Sequence, residues 1–316
     1  MPVERDVNPP STGPSGANAP ENPGTTHFHA PLGPHATYGF EGHLVAQVTS
    51  PHQHIEVVDL PTFGPQGRAY RLDGRFMACL ADAHICHELM VHPLLLAHAH
   101  AERVLILGGG DGGSAREVLR HRGVREVVIA ELDAEVPATV LRLMPALADG
   151  AFDDPRTTLV IGDARDLVDG ALERGERFDA VIFDLTDTDG SAASLHDVAF
   201  FTKIQALLAP GGGISLQLGA PWFERDAVRR IFDALRQVFV HVQPMIAYVP
   251  IYGSLWALAL ASDSLDVRAP RPDTQEDDLG GLRHYAPARH TELFEIPPEL
   301  VDIFDNPTPT PAPEAR

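Results

Sequence analysis

The sequence predicts an α/β protein, a mostly parallel, doubly wound sheet preceded by a small antiparallel β-domain. Compact apolar runs of strand length occur at 104–107, 127–130, 158–161, 180–183, 214–218 and 255–261. Helical stretches such as 114–121, 135–143 and 225–238 separate most of them, and buried strands alternating with helices form parallel sheets. Upstream, β-rich runs at 43–48, 55–58 and 69–72 alternate with turn residues, ending at Asp73-Gly74. That spacing is the mark of antiparallel hairpins.

These elements divide the chain. Residues 1–36 carry eight prolines among Gly, Ser, Asn and Thr, with too little apolar surface to offset ordering entropy, so a disordered tail is expected. The hairpin domain is placed at 37–95 and the doubly wound domain at 96–304, with helical periodicity over 83–100 leading from one to the other. The Pro-rich stretch 305–316 is expected to be a second disordered tail.

Composition narrows the function. Hydrophobic residues at 44% and charged residues at 22% exclude a disordered or collagenous chain. A formal charge of −20 argues against a broad nucleic-acid surface or an anionic membrane, both of which repel it. Small cationic ligands remain favoured. Two cysteines, Cys79 and Cys86, give no disulfide framework and fit a reducing compartment. No apolar run reaches the roughly 18 residues of a membrane span, and no signal-peptide pattern opens the chain, so a cytoplasmic location is expected.

The first strand of the α/β region runs into Gly108-Gly109-Gly110-Asp111-Gly112-Gly113 and then a helix, and Glu131 closes the second strand. This is the G-x-G-x-x-G pattern with an acidic residue placed for ribose hydroxyls. Nicotinamide, flavin and S-adenosyl-donor enzymes all use it. Asp111 separates them, because a carboxylate in this turn would repel a pyrophosphate by about 2 to 4 kcal/mol at an effective dielectric near 20. An S-adenosyl donor carries a sulfonium and an ammonium and no phosphate. The plain alternative is that Asp111 caps the helix. Glu131 and Asp163, the latter in Gly162-Asp163-Ala164, each end a strand on the side where open α/β sheets bind ligands. Glu131 suits the ribose diol and Asp163 the adenine amino group; solvated strand ends are the alternative. The fourth strand delivers Asp184, Asp187 and Asp189 within six residues, and such crowding raises the pKa of at least one carboxylate toward what a base needs. A solvated acidic loop or a divalent-metal site is the competing reading.

At this point the chain resembles the spermidine synthase family, the polyamine aminopropyltransferases, from about Gln53 to Ile303. The residues that carry the resemblance are the glycine loop, Ala130-Glu131-Leu132-Asp133, Phe152-Asp153-Asp154-Pro155-Arg156, Gly162-Asp163, Asp184-x-x-Asp187 with Ser194-Leu195, and Leu282-Arg283-His284-Tyr285. Gln53-x-Ile55, Leu72-Asp73-Gly74 and His87-Glu88 extend it upstream. The resemblance implies a small N-terminal β-domain joined to a Rossmann-like, class I methyltransferase-type domain. It implies transfer of the aminopropyl group of decarboxylated S-adenosylmethionine, a co-substrate and not a prosthetic group, to a di- or polyamine, in spermidine biosynthesis. Methylthioadenosine is released.

By position, the resemblance makes Asp184 the catalytic base, Tyr252 its helper in placing the amine, and Asp187 the acceptor-binding carboxylate. Gly108, Gly110, Asp111, Glu131, Asp163 and Ala164, with Gln53 and His87, would line the donor site. It further implies a homodimer or homotetramer. Departures cluster on the acceptor side: Ala83 and Cys86 replace a carboxylate and a phenol, Met77 replaces a glutamine, Thr188 replaces a proline, and Gly253-Ser254-Leu255 replaces Pro-Ser-Gly. The amine is therefore left open. A methyl or aminocarboxypropyl transferase, or a weakly catalytic polyamine- or nucleoside-binding homologue, are the alternatives. Sixteen histidines invite a metal reading, but His87, Glu88 and His92 do not have the i, i+4 spacing of a zinc-protease helix, and no metal is expected.

Overall fold

The computed structural model describes residues 24–185, 190–271 and 279–305. Two sheets organise it. The first has five antiparallel strands in the order β1-β2-β3-β4-β5: β1 Thr26–Pro31, β2 Thr37–Thr49, β3 His54–Asp59, β4 Arg68–Leu72 and β5 Arg75–Cys79. The second has seven strands in the order β11-β12-β10-β9-β6-β7-β8. Here β6 is Arg103–Gly108, β7 Glu126–Glu131, β8 Thr157–Ile161, β9 Phe178–Asp184, β10 Leu208–Gly219, β11 His241–Val249 and β12 Ser254–Ser262. Strands β6 to β10 pair in parallel, while β12 runs antiparallel to both β10 and β11.

The seven-stranded sheet is covered on both faces, and its central strands are apolar throughout for that reason. Leu105, Leu107, Val181 and Phe183 face one layer, formed by α4 (Ala164–Glu173), α5 (Val198–Leu207) and α6 (Arg225–Val238). Val104, Ile106, Ala180 and Ile182 face the other, with α1 (Ala83–Ala97) and α2 (Gly113–Leu119). In the small sheet, Ile55, Val57 and Tyr70 pack on Val136, Val140 and Met144, around α3 (Glu135–Leu143).

Two expected boundaries are corrected. The tail drawn at 1–36 contains strand β1, whose alternation buries Phe28 and Ala30. Only two apolar residues carry that pattern. The strand is held by others: Arg71 donates to the His29 carbonyl at 2.6 Å, and its guanidinium lies 5.3 Å from the Phe28 ring centroid. The second correction concerns the boundary drawn after residue 95. Helix α1 buries Leu89, Met90, Leu94 and Leu95 against the seven-stranded sheet, so the second unit begins with α1. Strands β5 and β11, unassigned from the sequence, complete the two sheets.

Strand order reverses between β6 and β9, since β7 and β8 lie on one side and β10 on the other. Ligands of doubly wound sheets bind at the carboxyl ends of the strands at such a reversal. The Gly108↔Asp184 pairing puts the glycine loop and the carboxylate of β9 side by side there.

Candidate active site

The Gly109 N–H donates to the Asp184 carbonyl at 2.8 Å, which locks the glycine loop to the end of β9. The loop's glycines make room for side chains. A Cβ on Gly113 would meet the His87 ring at 2.1 Å, and one on Gly110 would meet Glu131 Oε2 at 2.5 Å. His87 descends from α1 and Glu131 rises from β7 to fill the two gaps.

Asp111 is 4% exposed, and both of its carboxylate oxygens are engaged. Its Oδ1 accepts the Gly113 N–H at 2.8 Å, closing the loop just before α2. Its Oδ2 accepts the Tyr70 hydroxyl at 3.3 Å and lies 3.5 Å from His87 Nε2. Burial opposes ionisation of Asp111, but the charge and hydrogen bond of His87, with the Gly113 N–H and Tyr70, outweigh it and hold the carboxyl below its ordinary range. Burial also works against a charged His87, yet Asp111 raises its proton affinity above that of an ordinary imidazole. The two stand as a buried carboxylate–imidazole pair in which each favours the other's charged form. Asp184 stands beside them, half-buried, and its Oδ2 makes no hydrogen bond among the described residues. Burial first, and the Asp111 charge second, push its pKa up to about 6.

One ligand atom each of His87, Asp111 and Asp184 can be chosen so that all lie within 4.8 Å of one another. Two carboxylates and one histidine at this spacing are a set able to hold a cation, whether an ammonium or a metal ion. Among the described residues no second group of His, Cys, Asp and Glu has this spacing.

Two cavities meet at Asp184. One lies over the glycine loop and is lined by Gln53, Gly108, Gly110, Asp111, Glu131, Asp163 and Ala164, together with Asp184. The sequence-predicted donor residues are thus brought together, except His87, which reaches the neighbouring cavity. Gln53 donates to Asp133 Oδ2 at 2.9 Å, and Asp133 also accepts from Ser50 and from the Glu135 N–H. Burial pushes Glu131 up to about 7, against the Asp133 and Gly110 N–H groups that favour its charge. Asp163 caps α4 through the Arg165 N–H and pairs with the Arg165 guanidinium at 2.5 Å, which holds its carboxyl low. Arg165 therefore already engages the carboxylate expected at the adenine.

The second cavity is lined by Tyr70, Phe76, Met77, His87, Asp111, Asp184, Gln217, Glu224, Tyr252 and Trp256. Tyr252 sits in the turn Pro250–Tyr252, donates to the Met77 carbonyl at 2.8 Å, and lies 4.6 Å from the Trp256 ring. Asp82 fixes that turn, since its Oδ2 accepts the Ile251 N–H at 2.7 Å. Cys86 is buried beneath it and its thiol is pushed up by that burial, as suits a packed, inert cysteine. Glu88 faces away from the cavity and accepts the N–H groups of Arg283, His284 and Tyr285. Asp187 and Asp189 lie outside the described residues.

Sequence reasoning missed Tyr70, Gln217, Glu224 and Trp256 as site residues. Tyr70 comes from the small sheet and meets Asp111 forty-one positions away; no local spacing announces such a contact. Trp256 donates to Gln217 at 2.8 Å across neighbouring strands, a pairing that needed β12 to be placed antiparallel beside β10.

Residues 83–268 match the family described as the spermine/spermidine synthase domain. The polyamine aminopropyltransferase of Nitrosomonas europaea is 38% identical over 269 residues, covering 84% of this chain and 81% of that protein. That of Korarchaeum cryptofilum is 36% identical over 271 residues, covering 84% and 82%. A spermidine synthase crystallised in complex with the transition-state analogue AdoDATO superposes with a TM-score of 0.77 at 25% identity, over 84% of this chain and 91% of that one. The motifs, the strand order with its antiparallel β12, and these likenesses over most of the chain agree: it belongs to the spermine/spermidine synthase family.

Proposed function

We propose that this protein moves the aminopropyl group of decarboxylated S-adenosylmethionine to a di- or polyamine and releases methylthioadenosine. The observation that carries the reading is the trio of His87, Asp111 and Asp184 where the two cavities meet. It supplies a negative site for the donor's ammonium and, beside it, a carboxylate able to take a proton.

The chemistry is an in-line displacement at carbon. The amine nitrogen forms a bond to the aminopropyl carbon, the carbon–sulfur bond breaks, and its electron pair neutralises the sulfonium to a thioether. The proton left on nitrogen passes to Asp184. Such a step needs a deprotonated, oriented amine and a good leaving group, which the sulfonium already is. In this reading Glu131 takes the ribose hydroxyls, Asp111 the donor's ammonium, and Tyr252 with Trp256 the acceptor. The retained Asp111 also favours the decarboxylated donor, because an intact methionine moiety would bring a carboxylate toward it. No helix among the described residues is long and apolar enough to cross a membrane. The free, buried Cys79 and Cys86 support a cytoplasmic setting.

Incubation of the pure protein with either S-adenosyl donor and a panel of amines tests the reading. Methylthioadenosine formed from the decarboxylated donor alone is the expected result; methyl transfer from the intact donor would replace the proposal with a methyltransferase. A pH dependence follows from Asp184. Its acid form cannot take the amine's proton, so kcat/KM for the amine is expected to rise through an acid limb centred near pH 6. A limb near pH 4, the ordinary carboxylate range, would show that the base is not this buried group.

A further inference from the structure

We propose that His87, Asp111 and Asp184 are a three-ligand site for a divalent transition-metal ion of the zinc type, and that this ion inhibits the enzyme by taking the place of the donor's ammonium. The site itself stands on geometry; the competition with the donor rests on the transferase reading. Its ligands come from three elements, the helix α1, the glycine loop and the end of β9, and one ligand atom of each lies within 4.8 Å of the others. His87 Nε2 and Asp111 Oδ2 are 3.5 Å apart. That is long for a charge-assisted hydrogen bond, which runs about 2.7 to 2.9 Å. It is the spacing of two ligands on one tetrahedral ion, because zinc bonds of about 2.0 to 2.2 Å put neighbouring ligand atoms about 3.3 to 3.6 Å apart.

The third ligand is available. Asp184 Oδ2 makes no hydrogen bond among the described residues, and neither does the hydroxyl of Ser114, which is wholly buried beside Asp184 in the first turn of α2. Buried polar atoms normally have partners, so two orphans in one corner point to a further ligand there. Asp111 and Asp184 line both cavities and His87 lines one, which gives the ion an entry path and a water for its fourth position. The donor set selects the metal. An imidazole with carboxylates suits zinc, cobalt or nickel, whereas calcium and magnesium take about six or more oxygen ligands. Two carboxylate charges balance the dication, and once bound it engages the Asp111 oxygen that would receive the donor's ammonium.

Calorimetric titration with zinc ion, and absorption spectroscopy with cobalt ion in its place, test the site. One ion per chain is expected, with the visible band of tetrahedral cobalt. His87→Gln and Asp184→Asn should each weaken zinc binding at least about tenfold and abolish that band. A His27→Gln, His29→Gln double variant, changed only at exposed positions of β1, should bind as the native protein does. Native-like binding in both site variants, or its loss in the β1 variant, would place the metal on the surface and overturn the proposal. In the active protein, zinc should raise the KM for decarboxylated S-adenosylmethionine with kcat unchanged, and a chelator should reverse the effect. A fall in kcat at unchanged KM would show that the ion does not take the ammonium's place. If the native protein converts no amine with chelator present, the transferase reading fails, while zinc binding lost in His87→Gln still upholds the metal site.

Discussion

Asp184→Asn is expected to lower the rate of methylthioadenosine formation by about 10²- to 10⁴-fold, the usual contribution of a positioned general base, while donor affinity stays within a few fold. Asparagine keeps the shape of the side chain, and the loop geometry rests on the backbone pairing of Gly108 with residue 184, which the substitution does not touch. What it removes is the proton acceptor. It also removes a charge that burial and Asp111 disfavour. The folded-state pKa of Asp184 is raised from 3.8, so its contribution to stability is fully present below about pH 4 and lost as pH rises through about 6. At pH 7 the variant should therefore melt no lower than the native protein. Loss of turnover with unchanged or higher melting temperature separates a catalytic role from a structural one. Single-turnover rates, donor titrations and thermal melts on the same samples make the measurement, and turnover retained near the native rate would remove Asp184 from the mechanism.

Much of this centre was legible because strand ends and loops are local features. The loop Gly108-Gly109-Gly110-Asp111-Gly112-Gly113, Glu131, Asp163 and Asp184 are each announced by a short apolar run that stops at a chemically distinct residue, and a doubly wound sheet gathers such ends at one edge. The parts that were not legible are those where two distant segments make a contact neither announces. Tyr70 reaches Asp111 from the other sheet. Strand β1 is bound by Arg71 and by pairing with β2 more than by its own two apolar residues. Periodicity sees a face of one element; it does not see which other element covers that face. The acceptor site suffered most from this limit because β5, the turn Pro250–Tyr252 and the end of β1 at Pro31 and Leu32 contribute to its wall.

Asp111→Asn is expected to weaken binding of decarboxylated S-adenosylmethionine about 10- to 100-fold, the worth of a hydrogen bond to a buried charge, and to erase most of the discrimination against the intact donor. Both effects come from one carboxylate. In the native site Asp111 is ionised and buried beside His87; it attracts an ammonium and repels a carboxylate in a medium where neither interaction is well screened. Asparagine can still accept the Gly113 N–H that closes the loop before α2, so the loop should keep its form. His87 would lose the partner that raises its pKa and, being buried, would become neutral near pH 7. The stability cost has its own pH window. Asp111 is lowered from 3.8 and gives stability above that value; His87 is raised from 6.5 and gives stability that is fully present below it and lost as pH rises through the folded value. The variant should thus lose most stability between about pH 4 and pH 6.5 and less in alkaline solution. Competition titrations with the two donors read the selectivity, and thermal melts across that range read the pair with His87. Unchanged selectivity between the donors would show that Asp111 serves to close the loop and does not read the substrate. A melting difference independent of pH would show that the pair with His87 is not formed, and with it would fall the argument that this trio holds a cation.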